Sequence, residues 1–483
     1  MTPVRPLFLT PRSFATLVTA CLATLGCDGP APMVDAGPSP LDAHESPDAP
    51  RGPDAAEPAD AFVAPDAAGP RCTGAGCEIV EIALAFETSC ARRGNGEVLC
   101  WGRGQSGELG DGASRHLPGC TRVGSSDRTD CSDSAVVVAL PMPALRLYAQ
   151  GGFDVCAEVA GGDFYCWGSR GYRITDAMMG DRLRPELTPT YQGAQSFANA
   201  FIYTCWLDAS GTPSCIGDNS VGALGVGDFV QRFDPAHPVT REGTTTTPLT
   251  GLVEIATSTT FGSTTCARTA DQLYCWGQND IGQLGDPTPH TSCVAGIDVF
   301  DCTEVATPID FADAARIRDL TLGSQHTCAL LDDGTAWCWG QNRNGELGLG
   351  SPGAQDIDAR RSPTLNPNLA NVAELQLGAR HGCARLEDGT VWCWGSNDLG
   401  QLGDGVPDHP EDQCMNGSTL IDCSSVPVQV PGIDDATALD VGRQHTCVIR
   451  VGGTVWCWGN NETFESGPGT RDPVVTPQRI TSL

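Results

Sequence analysis

Apolar and polar residues alternate along this chain in short bursts, and nowhere with the three-to-four spacing of a long helix. Residues 373–377, Ala-Glu-Leu-Gln-Leu, alternate as a half-buried strand does. His381–Leu386 and Thr390–Gly395 follow, rich in strand formers and separated by a turn ending on Gly389. Val426–Val430 supplies a fourth short strand. The plan then recurs. Aligned on a pair of cysteines, it starts at Cys90, Cys156, Cys205, Cys266, Cys328, Cys383 and Cys447, at intervals of 66, 49, 61, 62, 55 and 64 residues.

Four short antiparallel strands in seven copies predict an all-β chain folded as a seven-bladed β-propeller of four-stranded blades. Glu78–Leu84 resembles the first strand of a copy, and Thr476–Leu483 the fourth. A ring can therefore close by letting the last strand complete a blade begun by the first; which strands share that blade stays open. An open solenoid would need a capping unit with a polar face, and the sequence lacks one.

Pieces of a His-Thr/Ser-x-x-Leu, Asp-Gly, Trp-Gly-x-Asn, Gly-Gln-Leu-Gly pattern recur in the copies, clearest over 325–348, 380–405 and 275–286. This resembles the regulator of chromosome condensation repeat family, over roughly residues 78–483. The resemblance implies the same seven-bladed propeller. Three copies depart from it. The second replaces the Gly-Gln-Leu-Gly loop by Ser169–Met178, the third has Ile216 for the tryptophan, and the seventh loses the loop motif.

The 24 cysteines are the next clue. Zinc sites favour Cys-x(2–4)-Cys knuckles; only Cys72 and Cys77 come near, and they stand alone. Elsewhere the paired cysteines sit on adjacent strands of one hairpin, directly opposite across the turn, at the short end of the separation a disulfide accepts. Setting aside Cys21 and Cys27 leaves 22 cysteines in eleven local pairs. Seven pairs belong to the blades: Cys90–Cys100, Cys156–Cys166, Cys205–Cys215, Cys266–Cys275, Cys328–Cys338, Cys383–Cys393 and Cys447–Cys457. Three close insertions after the Gly-Gln/Glu-Leu-Gly loop, Cys120–Cys131, Cys293–Cys302 and Cys414–Cys423, and one is Cys72–Cys77. Each bridge is expected to stabilise by about 2–3 kcal/mol in the chain-entropy model.

Disulfides need an oxidising compartment, and the beginning of the sequence supplies an export signal. Residues 1–27 carry Arg5 and Arg12 before an apolar run too short to span a bilayer, ending at Cys27. That ending resembles a bacterial lipoprotein cleavage site with Cys27 lipidated; Cys21 is the alternative, and an unlipidated secretory signal the third reading. Residues 28–71 are almost entirely Pro, Ala, Asp, Gly and Ser, a composition expected to stay a disordered acidic linker. Residues 72–483 form the propeller domain.

Charge narrows the partners. The leader holds two arginines and the linker nine acids against two arginines, which leaves −25 of the total −30 on the propeller. Such a domain repels nucleic acid and anionic lipid. All 29 basic residues are arginine, which removes lysine chemistry.

Candidate chemistry fares poorly. His326, His381 and His445 occupy one position in consecutive copies and could bind a metal, but the family signature places histidine there for structural reasons. Thr88, Asp154, Tyr203 and Thr264 stand there in the other copies. The loop around Gly282–Gly285 has no following helix to make it a phosphate cradle, so its glycines serve turns. The acidic insertions lack EF-hand spacing for calcium. Trp337/Trp339, Trp392/Trp394 and Trp456/Trp458 read as blade packing, with carbohydrate stacking the lesser reading. No nucleophile–base or paired-carboxylate arrangement stands apart from the repeat. The expectation is an exported, lipid-anchored, monomeric scaffold without cofactor or catalytic residues, binding a protein of the cell envelope through a rim of variable insertions. The alternative is an inhibitor of an extracytoplasmic enzyme, since the family resemblance includes a secreted propeller that inhibits β-lactamases. A GTPase exchange factor, which the resemblance also suggests, and a lyase or glycan-active enzyme rank lower.

Overall fold

Blade 6 shows the plan: strands Val372–Leu377, His381–Leu386, Val391–Ser396 and Cys423–Gln429 pair antiparallel in that order. The computed structural model describes residues 72, 74 and 76–483, except 118–119, 121–129, 150, 170–180, 243–244, 261, 296–297, 351–359, 407, 411, 413 and 417–418. The signal, the linker, Cys21 and Cys27 lie outside the described residues. Six further sheets repeat the plan, with first strands at Ile79–Leu84, Ala144–Tyr148, Ser196–Asn199, Glu254–Thr257, Ile317–Leu322 and Ala436–Val441. Their first strands touch one another in sequence order, and that of blade 7 touches that of blade 1. The ring is closed, and the first strands line its axis.

Closure does not use strand exchange. Val474–Arg479 pairs with Thr454–Gly459 inside blade 7, while Ile79–Leu84 opens blade 1. Every copy already holds four strands, so no blade is left to complete. The seam is made by packing instead: Ile79, Leu84 and Trp101 of blade 1 bury against Cys447, Ile449, Cys457 and Ile480 of blade 7.

Insertions elaborate the outer edge. In blade 4 the insertion adds a fifth strand, Thr291–Ala295, against Asp298–Ile309; in blade 6 it forms the hairpin Cys414–Asn416/Thr419–Ile421. Outer strands would expose unpaired N–H groups, and proline removes such a donor. Pro185, Pro235, Pro308, Pro363, Pro427 and Pro477 stand in the outer strands of blades 2–7. Blade 1 has none in Cys131–Val137; there the Ala135 N–H donates to Ser482 Oγ at 3.0 Å.

Antiparallel pairing puts the turns between first and second strands on the same face as the loops between third and fourth. The Gly-x-Leu-Gly loops and the three disulfide-closed insertions therefore share one face of the disc.

Candidate interaction face

The blades are locked together at that face by one repeated bond. Trp101, Trp167, Trp276, Trp339, Trp394 and Trp458 are 0% exposed. Their indole N–H groups donate to the backbone carbonyls of Glu465, Glu108, Ala223, Gln283, Glu346 and Gln401, at 2.8–3.0 Å. Each acceptor is the second residue of the loop in the preceding blade. The last glycine of the loop lets the ring approach: a Cβ on Gly110, Gly225, Gly285, Gly348 or Gly403 would sit 2.6–3.1 Å from the indole. The outer tryptophan of each pair, Trp337, Trp392 or Trp456, is only partly buried against a core cluster.

This bond joins two departures that looked separate in the sequence. A loop on blade 2 would receive the tryptophan of blade 3, and these are the copies lacking the loop motif and the tryptophan. Ile216 belongs instead to a buried cluster with Phe164, Tyr191, Phe197 and Trp206, drawn from blades 2 and 3. The seventh copy, by contrast, keeps its loop despite losing the motif. Glu465 O accepts from Trp101 at 3.0 Å, and Phe464 holds φ +68° where the other loops have glycine at +75° to +84°. A bulky residue rarely adopts that conformation.

The three histidines are buried at 0–1% exposure, and burial drives each down to about 3, so they are neutral. His381 Nε2 meets Thr446 Oγ1 at 3.1 Å and His445 Nε2 meets Ser89 Oγ at 3.0 Å, each in the next blade. Tyr203, at the same position in blade 3, donates to Thr264 O at 2.7 Å in blade 4. His326 faces blade 6, where Gly382 offers no hydroxyl, and its Nε2 has no hydrogen-bond partner. Among the described residues, no three His, Cys, Asp or Glu side chains are placed to hold a metal ion.

Models of the regulator of chromosome condensation (RCC1) repeat match residues 270–330, 333–385 and 388–449, and in a second version 317–346, 372–401 and 436–463. The chain carries RCC1 repeats. The ultraviolet-B receptor UVR8 of Arabidopsis thaliana is 24% identical over 397 residues, 80% of this chain and 79% of the receptor. The protein pim1 of Schizosaccharomyces pombe is 27% identical over 413 residues, 80% of this chain and 70% of that protein. Among solved structures, Prp20p of Saccharomyces cerevisiae, described with its binding to Gsp1p and histones, superposes with a TM-score of 0.62 at 17% identity, covering 83% of this chain and 90% of that one. At that identity the superposition speaks for the fold.

The insertions on this RCC1-repeat propeller are held by a device that the sequence reading missed. His116 lies between Asp111 Oδ2 at 2.9 Å and Asp130 Oδ2 at 2.6 Å. His409 lies between Asp404 and Asp422, both at 2.9 Å, and His290 between Asp286 at 3.1 Å and Asp301 at 3.7 Å. Burial opposes the charge on His116, but hydrogen bonds and charge from Asp111 and Asp130 outweigh it and raise it to about 9. For His409 the Asp404 hydrogen bond leads the rise to about 9, with Asp422 adding to it against burial. The signal was visible as Gly-Asp, a histidine four or five residues on, and an Asp directly before the second insertion cysteine. Asp412 accepts from Ser425 N and Oγ at 2.5 and 2.9 Å. The calcium reading thus finds several insertion carboxylates committed to the protein's own donors.

All eleven cysteine pairs lie with their sulfurs at bonding distance. In the blades the Cα atoms are 4.0–4.1 Å apart, in the insertions 5.9–6.1 Å. Each insertion is therefore pinned twice, by a cysteine pair and by a histidine held between two aspartates.

Around the axis, carboxylates tie neighbouring first strands. Glu81, Glu254 and Glu374 pair with Arg92, Arg268 and Arg385 of their own blades at 2.5, 2.6 and 3.1 Å. They also accept the N–H of Leu147, Leu320 and Leu439 in the next blades at 3.0, 2.8 and 3.0 Å. At the closing seam Asp440 takes this part, accepting Leu84 N–H at 2.7 Å. Glu81, Tyr148, Asn199, Glu374, Gln376 and Asp440 line an axial cavity of about 280 Å3.

Proposed function

We propose that this protein is an exported, lipid-anchored RCC1-repeat propeller that binds a protein partner on its insertion-bearing face. The carrying observation is the double pinning of the three insertions. Loops that merely filled space would need no such restraint, whereas loops on a rigid scaffold present a fixed surface for recognition.

The cysteine pairs support export, because eleven disulfides suit an oxidising compartment and cytoplasmic proteins seldom keep them. The leader ending at Cys27, with Cys21 the alternative, supports the anchor. Among the described residues no helix is long and apolar enough to cross a membrane. An exported chain would not meet partners such as those named for Prp20p.

The test is capture from cell-envelope extracts by wild-type protein and by a H116Q/H409Q variant. A partner retained by the first and weakened with the second supports the reading; equal retention sinks it. A captured hydrolase whose activity falls on binding would make the protein an inhibitor. Mass spectrometry of the mature N-terminus decides between Cys27, Cys21 and no lipid.

A further inference from the structure

Two of the three disulfide-closed insertions share a feature that the third lacks. In blade 4 the hairpin runs from Cys293 to Cys302, and in blade 6 from Cys414 to Cys423. Three residues before the second cysteine stand Val299 and Leu420, which are 65% and 66% exposed. The same position in blade 1 is Arg128. Register sets Val299 opposite Val294 and Leu420 opposite Met415, so apolar residues face each other across both hairpins. This exposure is not slack in the chain. Cys293, Phe300 and Cys302 bury with Val221 of blade 3, which fixes one side of the blade 4 hairpin. Cys414 and Cys423 are buried likewise. Side chains alternate along a strand, so Val299, next to the buried Phe300, falls on the uncovered side. On a hairpin held by a cysteine pair and by a histidine between two aspartates, it cannot turn inward.

The same two insertions share a charge. Residues 279–302 hold four aspartates and no arginine, and residues 396–423 hold five aspartates, one glutamate and no arginine. The blade 1 insertion, residues 104–131, balances four acids against three arginines. The aliphatic tip and the uncompensated acids therefore occur together. Some offset exists: His290 and His409 lie between aspartates, and Arg361 of blade 5 comes within 3.8 Å of Asp301. Those three cations leave most of the ten carboxylates unbalanced. Asp408, beside the blade 6 clamp, is exposed and makes no ion pair among the described residues.

We infer that the blade 4 and blade 6 hairpins are docking fingers for a protein surface that carries arginine or lysine around an apolar pocket. Val299 and Leu420 supply the contact that buries on binding, and a restrained side chain loses little freedom when it does so. Charge complementarity selects the occupant. The acids around each tip attract a basic rim and speed its approach, while the aliphatic contact holds it. An acidic protein surface, nucleic acid and anionic lipid are all repelled by the same field. The inference rests on the reading that this face binds a protein, and adds which insertions make the contact and the chemistry they select.

The test is panning a random dodecapeptide phage library on the disulfide-intact full chain, then measuring synthetic winners by fluorescence anisotropy. The inference expects winners combining Arg or Lys with Leu, Ile or Phe. Affinity should fall about tenfold in V299S/L420S, as loss of a buried aliphatic contact does, and should weaken as salt rises. V451S is the control, since Val451 is 67% exposed in the turn between the second and third strands of blade 7, on the opposite face; its affinity should match wild type. Unchanged thermal unfolding of V299S/L420S, both exposed sites, shows that its effect is not misfolding. Acidic or neutral winners, no enrichment, or insensitivity to salt overturns the inference. So does equal affinity in wild type and V299S/L420S, which means that basic peptides adhere to the acidic domain at large. A partner captured from envelope extracts that is lost in H116Q/H409Q but kept by V299S/L420S leaves the protein-binding reading standing without this one.

Discussion

The indole N–H of Trp394 donates to the backbone carbonyl of Glu346, 2.8 Å away across the seam between blades 5 and 6. That bond recurs at six of the seven seams, which makes it a sensitive point for stability.

W394F should cost about 1–3 kcal/mol, since it leaves a buried carbonyl without its donor. G348A should also destabilise, because a Cβ there meets Asn366 at 2.9 Å and the Trp394 ring at 3.1 Å, at φ +65°. Conversely, I216W should gain nothing, as the blade 2 sequence lacks the Gly-x-Leu-Gly motif and Ile216 is already buried in an aromatic cluster. Urea unfolding of the three variants checks the set; a stabilised I216W would contradict the seam assignment.

The histidine clamps give the insertions an alkaline limit. His116 and His409 are raised from 6.5 to about 9, so the folded state holds their protons more tightly than the unfolded chain. Their contribution is therefore whole below pH 6.5 and is lost as pH climbs through about 9. Hydrogen exchange should show insertion amides losing protection between pH 7 and pH 10, while blade strands hold. H116Q/H409Q should show weak protection at every pH.

Asp319 occupies the place of Glu81, Glu254 and Glu374 in blade 5, but Leu330 stands opposite where they have arginine. Burial, then the charge and hydrogen bond of Glu254, push its carboxyl up from 3.8. A raised acid binds more protons folded than unfolded, so stability falls as pH rises above 3.8. D319N should remove that fall, matching wild type at acidic pH and exceeding it at pH 8. Denaturant midpoints below pH 3.8 and at pH 8 decide it.

Reduction should be ordered. The blade pairs are 0–1% exposed, whereas Cys72 and Cys77 are part-exposed. Mild dithiothreitol followed by alkylation and peptide mapping should label Cys72 and Cys77 first. Labelling of Cys328 and Cys338 without prior reduction would remove the disulfide reading.

Much of this was legible because a repeat states its plan seven times. The strands of blade 6 fell within a few residues of where alternation put them, and the propeller follows from their number. Closure was not legible. It rests on single side chains, Asp440 reaching Leu84 and Trp101 reaching Glu465, and no periodicity announces such partners. The linked departures of blades 2 and 3 were written in the sequence, yet only the bond between a loop and the following tryptophan gives them one cause. The histidine clamps went unseen because Asp111 and Asp130 meet through His116 in space, across 19 positions of chain.

The seam between blades 7 and 1 has a practical consequence. It carries the same tryptophan bond as its neighbours and shares no strand, so the termini sit at one of several interchangeable joints. A circular permutant opened within Val430–Asp435, with its original ends joined by a flexible bridge, should assemble the same ring. The order in which the blades are synthesised is then separable from the shape they build.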